Sequence, residues 1–141
     1  MPDKRQAHIQ LHSRMDGEDV VQELSAELIV KGSDLYVRYE EPERGPQGGS
    51  TRTTIKITEN TVKIIRHGEV QSEHSFQLGE RLPGFYRSPY TSFNLSTHTT
   101  ELDMKIDGMN GYVSWAYDLF VYEDLSGHFA IDLHIQEELK S

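Results

Sequence analysis

Apolar and polar residues alternate along most of this chain. Ala7, Ile9 and Leu11 alternate with His8, Gln10 and His12. Leu35, Val37 and Tyr39 alternate with Tyr36, Arg38 and Glu40, and Thr53, Ile55 and Ile57 alternate with Arg52, Thr54 and Lys56. Phe129, Ile131, Leu133 and Ile135 do the same against His128, Ala130, Asp132 and His134. A period of two marks strands with one face buried and one in water, because successive side chains leave opposite sides of the backbone. Residues 19–32 place Val20, Leu24 and Leu28 at helical spacing, but they also fit alternation with Gln22 as the polar exception. Their strand-like neighbours favour a strand.

The punctuation agrees. Asp16-Gly17, Gly32-Ser33, Glu59-Asn60, His67-Gly68, Asn110-Gly111 and Ser126-Gly127 read as tight connections. Asn110-Gly111 is the best of them, since Asn-Gly tolerates the positive φ of a type I′ hairpin turn. EPERGPQGGS, residues 41–50, is too rich in Pro and Gly to hold a ladder and reads as a flexible loop. RLPGFYRSPY, residues 81–90, reads as a second irregular region. The sum is an all-β single domain over residues 1–141, with roughly eight to ten antiparallel strands and almost no helix. Such a sheet must close into a barrel or fold into a sandwich to avoid adhesive edges. One stretch shifts phase: Leu95, Thr97 and Thr99 share one parity, while Leu102, Met104 and Ile106 share the other. A β-bulge at Thr99-Thr100 accounts for the slip and bends a long strand; two strands meeting there is the alternative.

Composition narrows the function classes. There is no cysteine, so disulfides, thiolate metal sites and a Cys nucleophile are excluded. Fourteen Lys and Arg stand against 23 Asp and Glu, a net charge of −9 that argues against a phosphate-backbone binder such as a nucleic-acid partner. The bases concentrate between Arg44 and Thr100, where an anionic ligand would find them. MPDKRQAH lacks a hydrophobic signal region, and no apolar run approaches ~20 residues, so the expectation is a cytoplasmic protein without a membrane partner.

Candidate chemistry is sparse. The loop GPQGGST has no Lys-Ser/Thr and precedes a strand, so it is no P-loop, and no Gly-x-Ser-x-Gly elbow exists. His8, His12, His128 and His134 would gather near Asp132 if the first and last strands pair, but they lie on the polar parity and are expected outside. No metal site and no cofactor is therefore expected. No nucleophile or acid–base pair stands out, which leaves enzymatic activity open and gives it no carrier. Arg66 is the unusual residue: it shares a parity with Val62 and Ile64, and a buried guanidinium needs Glu40, Glu41 or an anionic ligand beside it. Arg66, Tyr39, Tyr86, Tyr90 and Tyr117 are the candidates to line a barrel mouth that binds a small anionic or amphipathic molecule. The competing expectation is a homodimer with a filled barrel, because Tyr112–Tyr122 is apolar on both parities.

Taken in order, YVRYEEPERG, GGSTRTTIKI, VKIIRHGEV, FYRSPYTSFNLSTHTTEL and GYVSWAYDL resemble the bacterial YwiB-like family over about Ile9 to Ile135. The matching positions are Tyr39, Glu40, Glu41, Thr53, Thr54, Arg66, Gly68, Pro89, Tyr90, Gly111 and Tyr117. The resemblance implies a lipocalin-like antiparallel barrel of the calycin kind with no assigned activity. Thr91 stands where the family pattern has a glycine, so a turn requiring positive φ there would be strained.

Overall fold

The computed structural model describes residues 3–138 and is built of ten strands. They are β1 (Asp3–Met15), β2 (Glu18–Lys31), β3 (Asp34–Glu40), β4 (Thr51–Ile57) and β5 (Thr61–Gly68). β6 (Gln71–Gln77), β7 (Arg81–Arg87), β8 (Ser92–Asp107), β9 (Asn110–Val121) and β10 (Asp124–Glu137) follow. Each strand pairs antiparallel with its sequence neighbour, and β1 pairs with β10, so the sheet closes into a barrel without free edges. The barrel alternative is the one realised, and residues 19–32 lie almost wholly in β2 as a strand.

The phase slip in β8 is a bulge. Thr99 lies opposite Tyr117 and Glu101 opposite Ala116, which leaves Thr100 as the extra residue. Leu102, Met104 and Ile106 thereby return to the inner face, where they pack on the core. A second bulge was not anticipated. Ser126 is the extra residue between Leu125 and Gly127 inside β10, and the β9–β10 turn falls instead at Tyr122-Glu123, with Tyr122 at φ 55°. The Asn110-Gly111 turn is likewise corrected. Asp107 pairs with Asn110, so Gly108-Met109 makes the turn, with Gly108 at φ 64°. Asn110 instead ties β9 to the end of β10, its Oδ1 accepting from the Glu137 N–H at 2.8 Å.

RLPGFYR, placed in an irregular region by its Pro and Gly, is β7. It pairs with β6 only through Gln71–Glu73, so Pro83 lies where no β6 partner needs its missing N–H. A Cβ on Gly84 would lie 2.1 Å from the Glu73 carbonyl oxygen and 2.9 Å from Leu95 Cδ1, so only glycine lets β7 approach this closely. Thr91 avoids the strain expected of it. Among the described residues only Asp16 and Tyr122 are non-glycines with positive φ, and Ser88 N–H closes the turn onto the Thr91 carbonyl at 2.8 Å.

Inward side chains fill the barrel. Trp115, Phe76, Ile9, Leu28, Ile55 and Leu133 are among the largest fully buried residues. Phe76 packs on Trp115 and Tyr117, with ring centroids 5.5 and 4.6 Å apart. The outer wall carries ion pairs such as Lys4–Glu27 and Lys63–Glu73. No helix among the described residues is long and apolar enough to cross a membrane.

Candidate functional site

Directly paired residues in an antiparallel sheet share a face, so the register sorts the inner wall into rungs. Leu35, Ile57, Val62 and Phe76 form one rung across β3–β6. Val37, Ile55, Ile64 and His74 form the next. The third runs through Tyr39, Thr53, Arg66, Ser72, Tyr86 and Phe93 across six consecutive strands. Chemistry changes along these strands from wholly apolar to largely polar, and the polar rung lies at the end where residues 41–50 connect β3 to β4.

Arg66 is held there by Glu41. Its Nε donates to Glu41 Oε1 and its Nη2 to Oε2, both at 2.7 Å, and Thr53 Oγ1 donates to the same Oε1 at 2.8 Å. The two side chains are 27% and 21% exposed. Burial pushes the Glu41 carboxyl up, but the Arg66 and Thr53 hydrogen bonds and the Arg66 charge outweigh it and hold the group below its ordinary range. Burial, with Glu41 second, raises the Tyr39 hydroxyl, so it stays a neutral donor. One rung deeper, burial and then the Arg66 charge push His74 down to about 4. The ring lies stacked on Phe76. Ser72 is 1% exposed and its Oγ has no hydrogen-bond partner among the described residues; Thr99 Oγ1 and Trp115 Nε1 share that condition deeper in the wall.

Of the five mouth candidates, Arg66, Tyr39 and Tyr86 come together on this rung, and Tyr86 stacks on Phe93 at 5.1 Å. Tyr117 belongs to the core: it is 9% exposed, sandwiched between Phe76 and Phe129. Tyr90 is 71% exposed in the β7–β8 turn, off this rung. The sequence reading missed Ser72, His74 and Phe93. QSEHSFQ contains a single apolar residue, Phe76, so the strand had no visible alternation; counting back from Phe76 in steps of two would have reached both His74 and Ser72.

A cleft of about 370 Å³ opens onto this rung between Ser13, Val20 and Gln22 on one side and Tyr39, Glu41 and Glu43 on the other. The loop that runs on from Glu43 is firmer than its Pro and Gly content predicts. Glu69 Oε1 accepts from the Gln47 N–H at 2.7 Å, and Oε2 accepts from the Gly49 N–H at 3.2 Å, so residues 45–49 wrap around one carboxylate. A side chain on Gly45 would collide with that carboxylate at 1.8 Å.

Of the outer histidines, His8 and His134 line a common cleft with Gln10 and Glu23, while His12 and His128 lie beside carboxylates. His12 lies 3.9 Å from Asp132 and 3.7 Å from Asp19, but Asp132 is engaged by Arg14 and Ser114. His128 bonds to Asp118, His134 stacks on Tyr112, and His8 pairs opposite Gln136. Among the described residues no group of three or more His, Cys, Asp or Glu side chains is placed to hold a metal ion.

A family model described as "Domain of unknown function (DUF1934)" matches residues 6–133. The chain is 27% identical over 127 residues to "Uncharacterized beta-barrel protein YwiB" of Bacillus subtilis (strain 168), spanning 86% of this chain and 87% of that protein. The crystal structure of the ywiB protein from Bacillus subtilis superposes with a TM-score of 0.75 at 22% identity, covering 98% of this chain and 94% of that one. That likeness shows the shared barrel fold.

Proposed function

The chain belongs to the DUF1934 family, whose function is unknown, and from that premise we propose that it is a binding module for a small anionic or amphipathic molecule seated at the polar end of the barrel. The observation that carries the reading is the rung of Tyr39, Thr53, Arg66, Ser72 and Tyr86. It sets a guanidinium, a neutral phenol and a buried hydroxyl without a partner among the described residues on one inward level, and Tyr39 of this rung and Glu41, the partner of Arg66, line an open cleft. Barrels of this size use their mouths to hold ligands against a few placed polar groups, with apolar surface around them. The filled middle of this barrel confines the site to the end.

The homodimer reading has less to rest on. On the outer face of β9, Arg81 covers the Phe120 ring at 3.9 Å, His134 covers Tyr112, and Asp118 is bonded to His128. Tyr112 and Phe120 on the second apolar parity are thus partly covered within the chain, while Tyr122 stays exposed. Native mass spectrometry against the same sample under denaturing conditions tests the proposal. The expected result is a monomer that keeps a small molecule, released on denaturation and missing from Arg66→Ala. A bare dimer would replace this reading with the assembly one.

A further inference from the structure

We infer that Glu41 is a built-in occupant of the Arg66 site and that the ligand is an amphipathic carboxylate which takes its place. The inference rests on the binding-module reading and gives it a substrate class. Arg66 meets Glu41 fork to fork, and Thr53 adds a third donor to one of the same two oxygens. Three donors aimed at a planar pair of oxygens describe a receptor for a carboxylate, and one is already in it. The occupant comes from the first residue after β3, and its own chain can release it. The Glu41 N–H is fixed to the Thr51 carbonyl at 2.9 Å, while Pro42, Glu43 and Arg44 beyond it are exposed. Rotation of the Glu41 side chain into the cleft empties the fork without moving the strand. The rest of the loop stays formed meanwhile, because Glu69 grips residues 47 and 49 independently.

With Glu41 seated, the cleft presents Glu41 and Glu43 and, among the described residues, no basic side chain, so it repels the anion that Arg66 would attract. A carboxylate therefore binds only the fraction of molecules in which Glu41 has swung out, and its apparent affinity falls by that fraction. The apolar part of the ligand has a wall waiting. Val20 stands on the inward parity of β2, opposite Ser13, yet is 53% exposed at the cleft.

Titration of the folded protein with decanoate, decanol and decylamine, followed in ¹H–¹⁵N spectra that also report folding, tests the inference. Glu41→Ala is expected to bind decanoate roughly tenfold or more tighter than the wild type, because the internal competitor is gone. Decanol affinity is expected to stay level. The neutral double variant Glu41→Gln with Arg66→Gln is expected to lose decanoate. Should Glu41→Ala fail to fold, Glu41→Gln keeps the shape, removes the charge and is expected to gain affinity in the same direction. Decanoate binding that is no tighter in either folded single variant overturns the inference, as does a wild-type cleft that prefers decylamine. If none of the three probes binds any folded variant and native mass spectrometry also shows a bare protein, the binding-module reading falls with it.

Discussion

On strands β3 to β6, Leu35, Ile57, Val62 and Phe76 meet at one level of the barrel, and two levels further along the same strands stand Tyr39, Thr53, Arg66 and Ser72. The two rungs are four residues, or about 13 Å, apart along each strand. Backbone pairing is equally regular in both. What differs is how the inward groups are satisfied. The apolar rung needs only contact, and its members are all 5% exposed or less. The polar rung needs specific partners: Arg66 is held by Glu41, Glu41 accepts from Thr53 as well, and Ser72 has none among the described residues. Filling those positions with apolar side chains would gain roughly 1.5–3 kcal/mol apiece from burial. A sequence that forgoes this on a whole rung has concentrated packing at one end and polar groups at the other, which is the division the proposed binding site requires.

The harshest way to test that division is to empty the apolar end. Phe76→Ala removes a fully buried ring that touches both Trp115 and Tyr117. It is expected to cost about 3–5 kcal/mol in urea unfolding, the range for a large aromatic truncated in a packed core. A loss below 1 kcal/mol, on the order of a surface change, would mean that Phe76 is not a keystone and that the two ends are not divided in this way.

The apolar end was also the legible one. Leu35, Val37, Ile55, Ile57 and Val62 announce themselves by alternation, and so does the bulge at Thr100, because a parity slip between apolar residues is visible in the letters. At the polar end, Arg66 was legible only as an anomaly on an apolar parity. Its partner was narrowed to Glu40, Glu41 or a ligand, and parity alone could not choose, since Glu41 lies just past the end of β3 and reaches Arg66 through a bend. Tyr90 and Tyr117 were misassigned for opposite reasons. Tyrosine suits a core, a rim or a turn equally well, and only register against Thr99 and Phe129 puts Tyr117 inside. The order imposed by Glu69 on residues 45–49 was invisible, because a carboxylate satisfied by backbone N–H groups leaves no side-chain pattern.

His74 stands on the rung between the two ends and makes the boundary measurable by pH. Its folded pKa, about 4, lies below the ordinary 6.5, because burial and the neighbouring Arg66 charge disfavour the imidazolium. Above about pH 6.5 the group is neutral folded or unfolded, and its contribution is fully present. As pH falls from about 6.5 toward about 4, the unfolded chain takes up the proton first, so stability falls, by up to roughly 3 kcal/mol. The Glu41 carboxyl, also held low, adds its own loss only at lower pH, below its ordinary 4.5. The wild type minus His74→Leu difference in urea midpoints isolates the histidine: it is expected to shrink in favour of the variant across pH 6.5 to 4. Parallel curves would place His74 in contact with water and move the boundary of the polar end one rung deeper.

The smallest effect sharpens the comparison most, because its sign separates the two ends. At the apolar end every truncation costs. At Ser72 the side chain is buried, its hydroxyl has no partner among the described residues, and removing it takes away a desolvated group without opening a large space. Ser72→Ala is therefore expected to leave stability level or raise it, by up to about 1 kcal/mol. The same variant is expected to weaken binding of any molecule that native mass spectrometry finds on the wild type, because that hydroxyl faces inward beside Arg66 on the ladder. A gain in stability together with a loss in affinity is the pair of results that a recognition site built at the expense of packing must give. A loss of stability would mean that Ser72 is already satisfied within the fold, and the polar rung would then be a braced wall with Arg66 and Glu41 as its strut.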